Sequence, residues 1–211
     1  MRARHRLESH LMSKRLLRSI CVFCGSRPGV DPAFMDAGAA MGRAIAARGL
    51  TLVYGGARVG LMGAVANAAL EAGGRVVGVI PKSLVTKEIA HDGLSELFLT
   101  ETMHERKDRM ITLSDAFVAL PGGFGTYDEI FETITLAQIG IHDKPNAMLD
   151  TNGFFQPLVA LLRHTIGHGF AAPEHEQLLV IEREPEALLD AIAAWTPPPL
   201  GSKLLDRRGT P

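Results

Sequence analysis

The chain has 211 residues, of which 46% are hydrophobic and 21% charged, with 22 Lys and Arg against 23 Asp and Glu. That length corresponds to one domain of ordinary or slightly large size, and the apolar fraction excludes wholesale disorder. The net charge of −1 gives no general attraction to nucleic acid or anionic lipid. No apolar run approaches the roughly 18–20 residues of a membrane span. We therefore expect a soluble protein without a nucleic-acid or membrane partner.

Both ends of the chain differ in composition from the rest. Residues 1–18 carry six basic side chains and one acid, and no apolar segment typical of a secretory signal follows them. We interpret 1–18 as a flexible basic arm. Residues 196–211, with three consecutive prolines, read as a loose tail. Between them, 19–195 is expected to form a single Rossmann-like, nucleotide-binding domain.

Short β-rich runs alternate with longer helical patterns along this domain. Most of the β-rich runs are unbroken apolar stretches, which is typical of strands covered on both faces. The predicted strands are 20–24, 51–54, 75–80, 97–100, 116–120, 146–149 and 178–181.

The first predicted helix has clear signals at both ends, because Asp31 and Pro32 form an N-cap and first turn, and Gly49 follows its end. Repeated strand–helix–strand units predict an α/β fold, a doubly wound, Rossmann-like parallel sheet of about seven strands with helices on both faces. Its ligand site should lie beyond the carboxyl ends of the strands, where the strand order reverses. The other predicted helices are 61–72, 103–113, 126–139, 153–167 and 185–195.

Cysteine and histidine pairs raise the question of a redox or metal site. Cys21 and Cys24 form a C-x-x-C, but they fall on a predicted strand, where residues three apart point to opposite faces. We favour two core thiols in a reducing cytoplasm over a redox pair or half a zinc site. His164 and His168 lack the glutamate of H-E-x-x-H, so no metal site is expected.

The first glycine-rich segment, 54–63, lies between a strand and a helix. Glycines at such a turn let the backbone approach a phosphate or ribose, and the helix start offers N–H groups to an anion. Tight strand-to-helix packing explains the same glycines. The segment matches neither G-x-G-x-x-G nor G-x-x-x-x-G-K-[ST], so it does not support a dinucleotide or a triphosphate site.

The second glycine-rich segment, 120–129, also follows an apolar strand and opens a helix. Three glycines and a hydroxyl at a helix start make a cradle for one phosphate, and the absence of a following lysine favours a monophosphate. Thr126 and Glu129 have the spacing of a capping box, which would explain both residues without any chemistry. Either role remains open for Glu129 from the residues alone.

A charged run, 101–109, opens the helix after the fourth predicted strand. Such a run is usually a solvated helix face. Its position at the carboxyl end of a strand favours a site instead, where an arginine could hold an anionic ligand through its planar fork of donors.

Two motifs together, Pro121-Gly-Gly-Phe-Gly-Thr-Tyr-Asp-Glu129 and Met103-His-Glu-Arg-Lys107, resemble the paired signature of the LOG ("lonely guy") family. These are cytokinin riboside 5′-monophosphate phosphoribohydrolases, which cleave the N-glycosidic bond of an adenine-type nucleotide to free base and ribose 5-phosphate. The resemblance implies that Arg106 and Glu129 are catalytic and that no cofactor takes part. It implies substrate binding by Glu88, Lys107, Gly122, Gly123, Phe124, Gly125, Thr126, Asp128 and Thr135.

The family resemblance also implies a homodimer and leaves the preferred base open, AMP or a prenylated nucleotide. Four residues depart from the commonest family pattern without removing a catalytic group: Arg27, Ala57, Asp128 and Leu136. Of these, we expect Ala57 and Leu136 to alter the base pocket or the shape of the loop, and with it the substrate preference. A non-catalytic nucleotide carrier on the same fold is the main alternative. A pyridoxal-phosphate decarboxylase would need a Schiff-base lysine, and nothing around the chain's lysines specifies one.

Overall fold

The computed structural model describes residues 16–88 and 90–199. The strands in this part of the chain are Ser19–Phe23 (β1), Thr51–Tyr54 (β2), Val76–Pro81 (β3), Glu96–Thr100 (β4), Ala116–Ala119 (β5), Asn146–Leu149 (β6) and Leu179–Glu182 (β7). They form one sheet in the order β4-β3-β2-β1-β5-β6-β7, and every neighbouring pair is parallel. The doubly wound α/β fold is confirmed, and each predicted strand overlaps an observed one.

The helices of the described residues are Pro32–Ala47 (α1), Gly60–Glu71 (α2), Lys82–Glu88 (α3), Met103–Thr112 (α4), Phe124–Gln138 (α5), Gln156–Gly167 (α6) and Pro185–Ala194 (α7). The start of α1 is confirmed, since the Asp31 carboxylate accepts a hydrogen bond from the Ala33 N–H at 2.9 Å. That bond, followed by one from Asn152, lowers the pKa of Asp31. Three short elements were not predicted: α3 and the 3₁₀ helices Thr151–Gly153 and Pro173–Leu178.

Two predicted helix starts are wrong. Helix α5 begins at Phe124, two residues before the predicted start, with Gly123 as its N-cap. Helix α6 begins at Gln156 rather than at 153. Asn152 and Gly153 have φ of 52° and 76°. A right-handed helix cannot include this left-handed backbone, so α6 begins only after it.

The sheet separates two apolar clusters. Side chains of α1, α2 and α7 pack on one face, and side chains of α4 and α5 pack on the other. Cys24 belongs to the first cluster and Cys21 to the second, so the prediction that they point to opposite faces is confirmed. Burial, and then the nearby Glu129 carboxylate, raises the pKa of both thiols. Neither of the two thiols is in a disulfide.

Strand order reverses at β1, which lies between β2 and β5. The loops after these two central strands, β1 and β5, contact each other directly, because the Gly25 N–H donates to the Pro121 carbonyl at 3.1 Å. This is the topological switch point of the sheet, where α/β proteins place their ligands.

The ends of the chain are only partly covered. Residues 1–15 of the expected arm and 200–211 of the expected tail lie outside the described residues. Residues 196–199 have no regular secondary structure. No helix in the described part of the chain has the length and apolar character to cross a membrane.

Candidate active site

A cleft of about 710 Å³ opens at the switch point. It is lined by the loop after β1, by the starts of α1, α2 and α4, and by the turn between β5 and α5. The predicted site residues that line it are Arg106, Gly122, Gly123, Phe124, Gly125, Thr126 and Glu129.

Arg106 reaches the cleft because α4 turns one narrow stripe inward. Arg106 and Met110 are the two buried residues of this helix, one turn apart, and most of its other side chains are exposed. The Arg106 Nε donates to the carbonyl of Val79 at 3.1 Å. The charged run is therefore mostly the solvated face that such runs usually form, with one arginine directed into the site.

Glu129 lies opposite, on the buried face of α5. Its Oε1 is 3.2 Å from Nη1 of Arg106, and each side chain of the pair is 8% exposed. The capping-box interpretation of Glu129 is wrong, because the helix already begins at Phe124 and Thr126 is in its first turn rather than at its N-cap. Burying an ion pair costs desolvation free energy, and separating its partners would leave uncompensated charges in the interior. The two side chains are therefore held in this geometry.

The turn between β5 and α5 combines one crowded glycine with two open ones. A Cβ on Gly122 would lie 2.1 Å from the Thr126 hydroxyl oxygen and 2.9 Å from the Gly25 nitrogen. A Cβ on Gly123 or Gly125 would meet nothing within 4 Å. The first turn of α5 thus presents unpaired backbone N–H groups to open space, an arrangement that binds anions.

The glycines of the other turn, 54–63, do not line the cleft, although Leu61 and Met62 do. Gly60 has φ of 57°, and a Cβ there would lie 2.4 Å from the Ser26 backbone carbon. A Cβ on Gly63 would lie 2.2 Å from the Arg58 carbonyl oxygen. These contacts support the packing interpretation of this segment rather than phosphate or ribose proximity.

Four predicted substrate-binding residues are not among the residues that line the cleft. The Lys107 Nζ is 3.0 Å from a carboxylate oxygen of Asp128 and 3.0 Å from one of Glu132. Burial lowers the pKa of Lys107, but hydrogen bonds to these two carboxylates outweigh it and raise the pKa. Thr135 lies along a second groove of about 350 Å³. The side chain of Glu88 lies outside the described residues.

Sequence reasoning missed an aromatic wall of the cleft. Phe34, from α1, and Phe154, from the turn before α6, meet edge to face with ring centroids 5.6 Å apart, and both line the cleft. Both segments follow the carboxyl ends of strands, which is the signal that could have identified them. Their separation along the chain hid the pairing. An apolar wall of this kind suits a planar base.

The described lining residues include no lysine that could form a Schiff base with an aldehyde cofactor. Lys144 instead donates to the Ile111 carbonyl at 2.8 Å, and Lys82 pairs with Glu101. Within the described part of the chain, no group of three His, Cys, Asp or Glu side chains is placed to hold a metal ion. Two arginines, Arg27 and Arg106, and one glutamate line the cleft and give it an excess of positive charge.

The fold and this cleft define a Rossmann-like α/β protein with a buried Arg–Glu pair at its topological switch point. Comparison with known proteins gives its family. A family model described as "Possible lysine decarboxylase" matches residues 62–192. A cytokinin riboside 5′-monophosphate phosphoribohydrolase of Rhodococcoides fascians is 47% identical over 176 residues, covering 83% of this chain and 89% of that protein. One from Arabidopsis thaliana is 38% identical over 191 residues, covering 90% of this chain and 89% of that protein.

The chain belongs to the LOG family of cytokinin riboside 5′-monophosphate phosphoribohydrolases, as its motifs predicted. Among solved structures, the molybdenum cofactor binding protein of Rippkaea orientalis superposes with a TM-score of 0.65 at 23% identity. The match covers 84% of this chain and 96% of that chain. At this identity the likeness concerns the fold.

Proposed function

We propose that this protein hydrolyses the N-glycosidic bond of adenine-type nucleoside 5′-monophosphates, releasing the free base and ribose 5-phosphate. The substrate class is cytokinin riboside 5′-monophosphate, AMP or both. The observation that carries the proposal is the buried Arg106–Glu129 pair, which faces the same cleft as the open glycine turn. Relatives of this chain that share 38–47% of its sequence bear the name of this activity.

The 5′-phosphate is assigned to the first turn of α5. There the backbone N–H groups and the helix dipole favour an anion, and the open space at Gly123 and Gly125 lets a phosphate approach the backbone. The excess positive charge of the cleft acts in the same direction. A phosphate held there requires a nucleotide rather than a nucleoside as the substrate.

Glu129 is assigned to the ribose, one helical turn beyond the phosphate cradle. Breaking the bond between ribose and base builds positive charge on the sugar, as in the oxocarbenium-like transition state of glycoside hydrolysis. A fixed, largely buried carboxylate stabilises that charge, and it also orients the attacking water. The departing base takes a proton, and hydroxide from the water adds to the sugar carbon.

Arg106 is assigned to holding the carboxylate and the nucleotide in place. Its guanidinium already contacts Glu129 and the Val79 carbonyl, so the Glu129 side chain has one strongly preferred position before substrate arrives. This fixed geometry is what preorganised electrostatic catalysis requires.

We further propose a homodimer that forms over the second groove. The groove lies between α5 and α6 and is lined largely by apolar side chains, and Phe170 at its edge is 85% exposed. A second copy of the chain would cover this surface and Thr135 beside it. Light scattering should give twice the monomer mass for the wild type and the monomer mass for Phe170→Glu. A monomeric wild type would contradict the proposal.

A cytoplasmic location completes the proposal and agrees with the two buried cysteines, which carry no disulfide in the described part of the chain.

The test of the function is base release. Purified protein is incubated with AMP and with isopentenyladenosine 5′-monophosphate, beside the matching nucleosides, and the bases are quantified by chromatography. We expect release from the monophosphates and none from the nucleosides, and the ratio of the two rates identifies the preferred base. Nucleotide binding without release would support a carrier instead.

A further inference from the structure

We infer that Gly55 is a positioning residue that seats the Arg106 guanidinium. The inference rests on the proposed function, because it assigns a task within the same catalytic pair. Gly55 immediately follows β2 and is buried, and it is not among the residues that line the cleft. It therefore acts on the reaction only through a neighbour.

The guanidinium of Arg106 lies very close to the backbone of Gly55. A Cβ on Gly55 would be 2.2 Å from Nη2 of Arg106 and 2.9 Å from the sulfur of Met62. The other two guanidinium nitrogens already have partners, since Nε donates to Val79 and Nη1 faces Glu129. The guanidinium is thus held by the Val79 carbonyl, by the Glu129 carboxylate and by the backbone of Gly55, which has no side chain.

The physical reason for glycine here is space rather than backbone conformation. Gly55 is not among the glycines with positive φ, so alanine can adopt its backbone conformation. The atoms that a Cβ would meet are the ends of two flexible side chains. An added methyl group therefore moves the guanidinium and leaves the strand and turn in place.

The neighbouring glycine shows the contrast. Gly56 has φ of 79°, and a Cβ there would press on Ile80 and on the Val79 nitrogen. Substitution at Gly56 strains the backbone itself, which is a structural effect. Of the two adjacent glycines, Gly55 is the one whose substitution reports on the position of Arg106.

The test is a double-mutant cycle between Gly55→Ala and Arg106→Ala, with AMP hydrolysis and melting temperature measured for each protein. Gly55→Ala should lower kcat by about 10- to 100-fold, because small displacements of a catalytic group are this costly. In the Arg106→Ala background it should cause no further loss, since the group it displaces is gone. Gly167→Ala is the control, because a Cβ there meets nothing within 4 Å.

The outcomes distinguish failure of the proposed function from failure of the role of Gly55. A wild type that releases no base removes the proposed function. An active wild type whose turnover survives Gly55→Ala, or a loss that repeats in the Arg106→Ala background, overturns the role of Gly55 alone. Should Gly55→Ala fold poorly, the double variant is compared with Arg106→Ala alone, because loss of the buried ion pair is itself destabilising. Equal melting temperatures support the clash with the guanidinium, and a further drop as large as the one that Gly55→Ala causes in the wild type overturns it.

Discussion

The two glycine-rich turns of this molecule look alike in sequence and differ in what surrounds them. Each follows a buried strand and opens a helix, after β2 in one case and after β5 in the other. In the first turn, added Cβ atoms at Gly60 and Gly63 would collide with neighbouring backbone. In the second turn, Gly123 and Gly125 face open space at the mouth of the cleft.

The difference separates two reasons for glycine. Within the first turn, glycine is required because the loop after β1 and the start of α2 leave no room for a side chain. Within the second, glycine leaves room that a ligand can fill, beside helix N–H groups that bind anions. Gly55 is also crowded, but a Cβ there would collide with the Arg106 side chain of the site rather than with backbone. The glycines of the first turn therefore support the site without lining the cleft, and those of the second turn line it.

The largest effect is expected at Glu129, one turn into the helix that the second turn opens. Glu129→Gln keeps the size of the side chain and removes its charge, so turnover should fall by about 10²–10³-fold while AMP still binds. Steady-state base release and calorimetric binding measure the two quantities. Glu186→Gln, on α7 and paired with Arg48, is the matched control. Wild-type turnover in Glu129→Gln would return this residue to a structural role.

A second experiment tests the crowded turn. Gly63→Ala forces a methyl group against the Arg58 carbonyl, and overpacking of this kind typically costs about 1–3 kcal/mol. The melting temperature should fall by roughly 2–10 °C. Gly167→Ala serves as the reference, because a Cβ there meets nothing within 4 Å. An unchanged melting temperature for Gly63→Ala would show that the first turn is not packed as described.

The open turn should respond in the opposite way. In Gly125→Ala the methyl group enters free space, so the melting temperature should stay close to the wild-type value. The same group narrows the phosphate cradle, and KM for AMP should rise by about three- to tenfold, roughly 1 kcal/mol of binding. A variant that melts early with unchanged KM would reverse the comparison between the two turns.

The smallest effect is expected at Lys107, which joins α4 to α5 beside the catalytic pair. Its pKa is raised because its hydrogen bonds to Asp128 and Glu132 outweigh burial. The resulting stabilisation is complete below the ordinary lysine pKa of about 10.4 and is lost as the pH rises through the higher folded value. Lys107→Met should therefore melt a few degrees below the wild type at pH 7–9, and the gap should close above about pH 10.5. A gap that widens with pH would exclude the ion pairs as its cause.

Much of this could be predicted from sequence. Unbroken apolar runs identified the strands, and capping signals at Asp31 identified the start of α1, because both depend on local chemistry. The start of α5 was misplaced because Gly123 serves as an N-cap without a side chain to signal it. The Phe34–Phe154 contact and the close approach of Gly55 to Arg106 join distant parts of the chain. Local periodicity carries no information about such contacts.

The most direct test of the central claim is the crystal structure of Glu129→Gln with AMP bound. Loss of the carboxylate slows turnover, so the intact nucleotide should persist in the cleft. The account predicts the phosphate on the backbone N–H groups between Gly123 and Thr126, with the ribose beside residue 129 and Arg106. A phosphate bound instead at the turn between β2 and α2, or outside the cleft, would contradict it.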